Sequence, residues 1–496
     1  MDELNITGQE IARLTSSETF WDDWTRKIYS VDASHFQIEP IVINYPRNEF
    51  DLQQLCEFAS TRNIPLVCRG GGTGLLGQCL SNGIVLDLGR NMNKILEIDK
   101  NFVIVEPGIT KHVLDSELSK HGKFIPPNPA SSNYCTIGGM IANNSSGPYT
   151  LGYGSMMSYV IGVDTVYSGG LFGYAHDNSG FDNTINKIMS IIRSNLNLIR
   201  RAYPKVNKNS CGYRLDSIFD QEGFHPQRIF LASEGTLGIV TKAKLLTLDI
   251  PESRYLSILS FPNIVKAAGS IPYILKHKAV AVELLDDFSN GDMNSNYDLR
   301  KKCTLLVEFH GELESQLEKR AKIFEMEASQ YSQVLESTTD TDSIEKIWSQ
   351  RKNALNKVLK MTVGSRRSLG LIEDTIVDPT MLERFVVFLI NLYKNYKVDY
   401  VIYGHAGDGN LHTRPVIRTE QEYHESFVEE MALNVFKFII SRRGSISAEH
   451  GDGLARVKYI PEMYGSQIYG IFLKIKKTFD PKNIMNPGKK VLFDNN

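Results

Sequence analysis

The 496-residue chain has no stretch of about 18 consecutive apolar residues, so a membrane span is not expected. It has no run of basic residues interleaved with aromatics. Its 55 Lys+Arg nearly balance 57 Asp+Glu, so the net charge of -2 directs it to neither nucleic acid nor an acidic membrane surface. The acidic N-terminus Met1-Asp2-Glu3-Leu4 is not followed by an apolar region, so no secretory signal is expected. The six cysteines, Cys56, Cys68, Cys79, Cys135, Cys211 and Cys303, form no C-x-x-C pair. That spacing argues against zinc and iron–sulfur sites and fits reduced, mostly buried thiols in a cytoplasmic protein, at most peripheral to a membrane. Neither G-x-x-x-x-G-K-[ST] nor a strand–G-x-G-x-x-G–helix fingerprint occurs, which argues against a P-loop nucleotidase and a Rossmann NAD site. No internal repeat stands out.

What is present is an ordinary globular composition, 42% hydrophobic and 23% charged, on a chain too long for one core. Four parts are expected: an N-terminal helical segment 1–35, a ligand-binding domain 36–249, a second domain 250–419 and a helical C-terminal part 420–496. Residues 7–30 read as an amphipathic helix with Trp21, Trp24 and Ile28 on one face. Asn48 to Arg62 and 111–121 read as helices. Ile64–Val67 and Ile84–Leu88 read as strands, and Ile95–Ile98 with Phe102–Val105 as a hairpin. Residues 136–154 are too rich in Gly, Asn and Ser for a packed strand or helix and are expected to follow a ligand. Beyond Pro251, strands at 279–284, 304–309, 369–377 and 400–404 alternate with helices near 260–277, 311–330 and 379–395. Four strands with helices to one side predict an antiparallel sheet, and the fold class is α+β. Residues 420–440 and 462–479 read as helices closing the chain.

Two regions carry chemistry. Arg69-Gly70-Gly71-Gly72-Thr73-Gly74 lets successive backbone N–H groups face one point, an anion nest suited to a diphosphate; the alternative is a plain glycine-rich turn. Loops at 136–147 and 233–240 offer further backbone donors, and together the three imply an extended ligand. Near the other end, His405 and His412 are separated by Ala-Gly-Asp-Gly-Asn-Leu, whose glycines permit a tight turn, and Glu449-His450 follows later. Two imidazoles and a carboxylate suit Zn²⁺, Mn²⁺ or Fe²⁺; the alternative is polar residues around a turn. His450 beside such a site is either a general base or a partner that orients Glu449.

The ordered motifs RGGGTG (69–74), PPNP (126–129), TIGGMIANNSSG (136–147), LGYG (151–154) and SEGTLGIVT (233–241) resemble the FAD-binding domain of the vanillyl-alcohol-oxidase superfamily. EDTIV (373–377), GHAGDGNLH (404–412), SAEHGDG (447–453) and FDPKNIMNPGK (479–489) resemble its D-lactate, glycolate and D-2-hydroxyglutarate dehydrogenase branch. The resemblance spans roughly residues 35–490. It implies that Arg69, Gly70, Gly71, Gly72, Thr73 and Gly74 cradle the FAD diphosphate, with Gln78 behind. It places Pro127, Thr136, Gly139, Asn143 and Gly147 along the flavin and ribityl portion, and Glu234, Gly238 and Ile239 at the adenosine end. Some members tether FAD through a histidine near the first loop. Residues 66–79 contain none, so FAD is expected to be non-covalent.

The same resemblance implies a divalent metal, Zn or Mn, on His405, His412 and Glu449, with His450 as base. It implies that Arg351, in Trp348-Ser349-Gln350-Arg351, clamps the substrate carboxylate; the bland alternative is a helix-surface salt bridge. Asn410 either shapes the loop, like Asp408, or faces the flavin and substrate. At the distal end the chain departs from the hydroxyglutarate enzymes: Leu355 replaces a hydroxyl residue, Arg366 and Arg367 are approximate counterparts of a basic residue, and Thr413-Arg414 stands where an asparagine is found. A short D-2-hydroxy acid, D-lactate or glycolate, is therefore the expected substrate, oxidised to the 2-oxo acid. Without an NAD fingerprint or a cysteine-rich extension, the acceptor is expected to be a quinone, an electron-transfer flavoprotein or an iron–sulfur subunit. A homodimer is left open. The alternatives are a D-2-hydroxyglutarate dehydrogenase, in which Arg366 or Arg414 binds the distal carboxylate of the substrate, and an inactive flavin-binding subunit of an electron-transfer complex; a further rival is an alkyl-transferring or aryl-alcohol flavoenzyme.

Overall fold

The computed structural model describes residues 3–168, 172–174, 183–221, 223–286, 302–311, 313–352, 366–368, 370–418 and 425–493. Leu355, and with it the expected apolar distal wall, lies outside them, as do the side chains of Arg366 and Arg367.

Among the described residues, three larger sheets and a two-stranded one, Lys123–Phe124 with Leu248–Asp249, organise the chain into an α+β fold. In the first, Ile84–Asp87 is flanked by two parallel neighbours, Val42–Tyr45 and Leu66–Arg69, and Glu18–Phe20 adds an antiparallel edge. These central strands are short, apolar and buried on both faces, as parallel strands under helices must be. Leu66–Arg69 delivers the chain directly into the glycine loop. The helix Glu49–Arg62 is opened by Asn48, whose side chain accepts from Asp51 N, and closed by Asn63 in the left-handed region. In the second sheet Ile95–Ile98, Phe102–Val105, Ile239–Leu246, Val160–Val166 and Phe172–Tyr174 run antiparallel in that order.

The third sheet has eight strands where four were expected. Its order is Gln333–Thr338, Ser253–Phe261, Cys303–Gly311, Ala281–Leu285, Asp399–Gly404, Asn410–Arg418 and Arg366–Ser368, with Thr375–Ile376 also pairing on Asn410–Arg418. Ser253–Phe261 escaped the sequence pattern because both its faces are covered, so Tyr255, Leu256, Leu259 and Phe261 do not alternate. Asn410–Arg418 was hidden by its His, Thr, Arg and Pro residues. Thr375–Ile376 and Arg366–Ser368 replace the single expected strand 369–377. The helices Ile264–Ile274, Glu314–Ala328 and Leu382–Tyr396 cover one face through Leu305, Val307, Phe309, Val282, Leu284 and Ile402. The other face carries Glu283, Tyr403 and, by pairing of Tyr403 with His412 and of Val401 with Arg414, the charged residues of the site.

Two local expectations are corrected. Residues 7–30 are not one helix: Glu3–Leu14 and Asp23–Tyr29 are separated by the strand Glu18–Phe20. Only Trp21 of the expected face packs inward, over Gly8, where a Cβ would lie 2.3 Å from its ring; Trp24 and Ile28 are exposed. In the Gly/Asn/Ser-rich stretch, Thr136 caps a short helix, Ile137–Asn143, accepting from Gly139 N, and Thr150–Tyr153 forms one further turn. Small residues are tolerated there because neighbours come close: a Cβ on Gly138 would lie 2.7 Å from Pro107.

Candidate active site

A cavity of about 560 Å³ runs from the glycine loop to the histidine cluster. Its wall includes Arg69, Gly70, Gly71, Gly72, Thr73, Gly74, Gln78, Thr136, Gly139, Asn143, Gly147, Glu234, Gly238 and Ile239 from the first half of the chain. From the second half come Arg351, His405, His412, Arg414, Glu449 and His450. Pro127 is buried just outside; Asn128 and Pro129 form the wall at that point. Asn410 also lies behind the wall. The segment around Asp374–Ile376 crosses it, and its amide donates to Asp374 Oδ1 at 3.2 Å and to the Thr375 carbonyl at 3.2 Å, so it shapes the loop instead of facing flavin or substrate.

The glycine loop has the form a diphosphate needs. Gly72 is left-handed, with φ 63°. A Cβ on Gly71 would lie 2.2 Å from the Tyr134 carbonyl oxygen, and one on Gly147 2.5 Å from that of Asn128, so side chains are excluded where the loops meet. The cavity falls in the size range of cofactor sites, and its lining of backbone and small residues fits FAD. Glu234 lines the cavity, but its carboxylate accepts from Asp452 N at 2.6 Å and Gly453 N at 3.0 Å and pairs with Lys490 at 3.3 Å. It therefore fastens the C-terminal region to the cofactor loops.

The histidines converge on one oxygen. His405 Nε2 lies 3.0 Å, His412 Nε2 3.3 Å and His450 Nε2 4.0 Å from Glu449 Oε1. The rings of His412 and His450 are nearly parallel, 5.1 Å apart at 12°. Glu449 Oε2 accepts instead from Ser146 Oγ at 2.6 Å, with Lys208 Nζ at 3.7 Å. Burial raises the Glu449 carboxyl, but Lys208, His405 and His412 outweigh it and hold the group well below the ordinary range. Burial lowers His412. Burial likewise acts to lower His405, but Glu283 and Glu449 on either side raise it. Two imidazoles and a carboxylate converging on one point fit a divalent ion such as Zn²⁺ or Mn²⁺. A second grouping, Asp374, His412, Glu449 and His450, has donor atoms within 4.8 Å of one another. Asp374 is the weaker ligand of the two sets, because its Oδ2 already accepts from Glu449 N at 3.0 Å and His450 N at 2.8 Å.

Asp374, with a left-handed φ of 63°, thus fixes the backbone that presents Glu449 and His450. Gln78 Nε2 donates to the His450 carbonyl at 2.5 Å, and Lys208 Nζ to the Gly147 carbonyl at 3.1 Å. The glycine loops and the histidine cluster therefore share one frame across more than 300 residues of sequence. Burial acts to lower His450, but Asp374, Glu373 and Glu449 push it up to about 9. Arg351 is not on the helix surface: it is buried, and its Nε and one Nη bond Glu283 Oε2 at 2.7 and 2.6 Å. Arg414 forms an ion pair with Glu373, Nε to Oε2 at 2.5 Å. The Tyr403 ring lies 5.3 Å from the Arg351 guanidinium.

Sequence reasoning missed Glu283, Glu373, Asp374, Tyr403, Ser146 and Lys208. Glu283 was detectable as a charged residue inside the apolar run Ala281–Leu285, since such a carboxylate must have partners. Lys208 gives no comparable local signal.

Comparison with known proteins agrees with this architecture. Residues 40–172 match the FAD binding domain and residues 250–490 the C-terminal domain of FAD linked oxidases. The chain is 29% identical over 503 residues to the D-2-hydroxyglutarate dehydrogenase of Escherichia coli, covering 94% of itself but 49% of that protein. It thus spans about half the length of that relative. It is 28% identical to glycolate oxidase subunit GlcD of Bacillus subtilis, covering 98% and 97% of the two chains. It is also 28% identical to D-lactate dehydrogenase of Archaeoglobus fulgidus, covering 95% and 99%. Among solved structures, 4-ethylphenol oxidase from Gulosibacter chungangensis superimposes with a TM-score of 0.73 at 15% identity, covering 99% of this chain and 98% of that one. Alkyldihydroxyacetonephosphate synthase gives 0.69 at 17%, covering 99% and 85%. At those identities the likeness is one of fold. Among the described residues no helix is long and apolar enough to cross a membrane. The cofactor loops, the antiparallel sheet and the matches over both halves show that the chain belongs to the FAD linked oxidases.

Proposed function

We propose that the chain oxidises a D-2-hydroxy acid to the 2-oxo acid, using non-covalent FAD and a divalent metal, and passes the electrons to an acceptor other than NAD. The observation that carries this reading is the convergence of three histidines on Glu449 Oε1 inside the cavity lined by the glycine loops. FAD, when bound, supplies the hydride acceptor. His405, His412 and Glu449 would hold a divalent ion, which would supply Lewis acidity toward the 2-hydroxyl. Arg351, fixed through Nε by Glu283, offers its remaining N–H groups to the substrate carboxylate. His450 takes the hydroxyl proton. With Glu449 engaged by such an ion, one of the carboxylates that raise His450 would be offset, and His450 would be the more available as a base. Residues 36–249 act as the cofactor domain and 250–419 as the substrate domain. Residues 420–496 close the site, and 1–35 form the N-terminal segment. A quinone, an electron-transfer flavoprotein or an iron–sulfur subunit serves as acceptor.

The reading favours a short acid, D-lactate or glycolate. Arg414 is already matched by Glu373, so a distal carboxylate has to compete with a buried partner. One observation favours the second reading, a diacid such as D-2-hydroxyglutarate: the Arg414 side chain, besides pairing with Glu373, lines the cavity. Anaerobic addition of each acid to the FAD-bound protein, read as bleaching of the flavin, tests both. No bleaching with any D-2-hydroxy acid, in protein shown to contain FAD and metal, ends the proposal. A kcat/KM advantage above about tenfold, roughly 1.4 kcal/mol, for D-2-hydroxyglutarate transfers the assignment to the diacid.

A further inference from the structure

Glu283 sits at the middle of the strand Ala281–Leu285, which is buried throughout, and its own side chain is 0% exposed. On the same face, Ala281 and Leu285 pack with Trp348 and Tyr403 in an apolar cluster. Its two oxygens are divided between two tasks. Oε1 accepts from His405 Nδ1, and Oε2 accepts from Arg351 Nε at 2.7 Å with Arg351 Nη2 in ion-pair contact at 2.6 Å. The partners come from a loop and a helix far apart in sequence, and Glu283 touches both.

We propose that Glu283 is a positioning residue that couples metal loading to substrate docking, by fixing the proton on His405 Nδ1 and the orientation of Arg351 at the same time. The inference rests on the functional reading above. A proton held on Nδ1 leaves His405 Nε2, 3.0 Å from Glu449 Oε1, as the nitrogen that can ligate an ion. The same carboxylate turns the guanidinium so that its outer N–H groups face the cavity. A glutamine of equal shape cannot do both. If its oxygen keeps the arginine, its amide N–H meets His405 Nδ1 and moves the ring proton to Nε2, closing that nitrogen to a metal. If its oxygen keeps His405, its N–H groups meet those of Arg351, and the arginine is released.

The test measures metal affinity without substrate or turnover. FAD-bound wild type, Glu283→Gln, Glu283→Asp and Arg351→Met are stripped of metal and titrated with Zn²⁺ against a chromogenic competitor. Kd for a non-reactive 2-oxo acid is read from its perturbation of the flavin spectrum. Glu283→Gln is expected to lose about 10–100-fold in Zn²⁺ affinity and to bind the 2-oxo acid at least about tenfold more weakly. Glu283→Asp is expected to recover part of both. Arg351→Met leaves Glu283 to His405 alone and is expected to strengthen Zn²⁺ binding severalfold. That effect is expected to disappear in the double variant with Glu283→Gln. Should Glu283→Gln not fold, judged by circular dichroism and flavin content, the Arg351→Met comparison decides alone. Unchanged Zn²⁺ affinity in Glu283→Gln, or in Arg351→Met when that decides, overturns the coupling, as does a wild type that binds no Zn²⁺. If affinities shift as expected but no D-2-hydroxy acid bleaches the flavin, the coupling stands and the assigned reaction falls.

Discussion

At the scale of single residues, the site is a set of buried charges in which each member is legible only through its neighbours. His450 has two possible duties, proton transfer or support of Glu449. We propose the first, because Glu449 is already supported by Ser146, by Lys208 and, through its backbone N–H, by Asp374. His450 Nε2 stands 4.0 Å from it on the cavity wall. His450→Asn keeps a polar side chain but cannot take the proton. Flavin reduction, followed by stopped flow, is expected to slow by about 10²–10⁴-fold with little change in substrate affinity. A near wild-type rate removes His450 from proton transfer.

Elements of secondary structure decide two further outcomes. The glycine loop functions through backbone proximity, and Gly71 has no room for a methyl group against the Tyr134 carbonyl. Gly71→Ala is expected to weaken FAD binding at least about tenfold, equivalent to roughly 1.4 kcal/mol, in a titration of FAD-depleted protein. Affinity equal to wild type would show that the loop relaxes freely. In the strand Cys303–Gly311, Glu308 is fully buried and accepts from Arg254 Nε at 2.7 Å, His310 Nε2 at 2.8 Å and Tyr149 OH at 3.1 Å. Burial raises its carboxyl, but His310 and Arg254 outweigh that and hold it below its ordinary 4.5. A depressed carboxylate contributes stability that is present above the unfolded value and is lost as pH falls through the folded one. The gap in urea midpoint between wild type and Glu308→Gln is therefore expected to narrow from about pH 6 to about pH 3. A gap that stays constant over that range places the contribution in shape, not charge.

On the scale of the whole molecule, the cofactor groove and the histidine cluster come from opposite halves of the chain. They are fastened by Gln78 to the His450 carbonyl, Ser146 to Glu449 and Glu234 to Asp452. The atoms proposed to hold FAD and those proposed to hold the metal are nonetheless different. A chelator is expected to abolish reduction of the flavin by a D-2-hydroxy acid while FAD stays bound, and Zn²⁺ or Mn²⁺ to restore it, since neither has to change oxidation state. Full flavin reduction in protein shown by elemental analysis to be metal-free would take His405, His412 and Glu449 out of the reaction. On acid precipitation the yellow colour is expected in the supernatant as free FAD; colour retained in the pellet would mean a covalent link.

The sequence alone was enough for what depends on local chemistry and order. Glycine runs can do little but bring backbones close, and the motifs from Arg69 to Lys489 identified the family before any contact was known. The α+β class, the helix opened by Asn48 and the hairpin around Asp99-Lys100-Asn101 were equally legible, because caps and turns are short-range. Only the tertiary structure revealed the strands Ser253–Phe261 and Asn410–Arg418, where two-sided burial or buried polar side chains override the alternating pattern. It alone placed Arg351 against Glu283, Arg414 against Glu373 and Lys208 beneath Glu449. A buried charge declares itself in sequence only as an oddity. Which opposite charge satisfies it depends on strands and loops that meet from hundreds of residues away, and that choice sets which atoms remain free for metal and substrate.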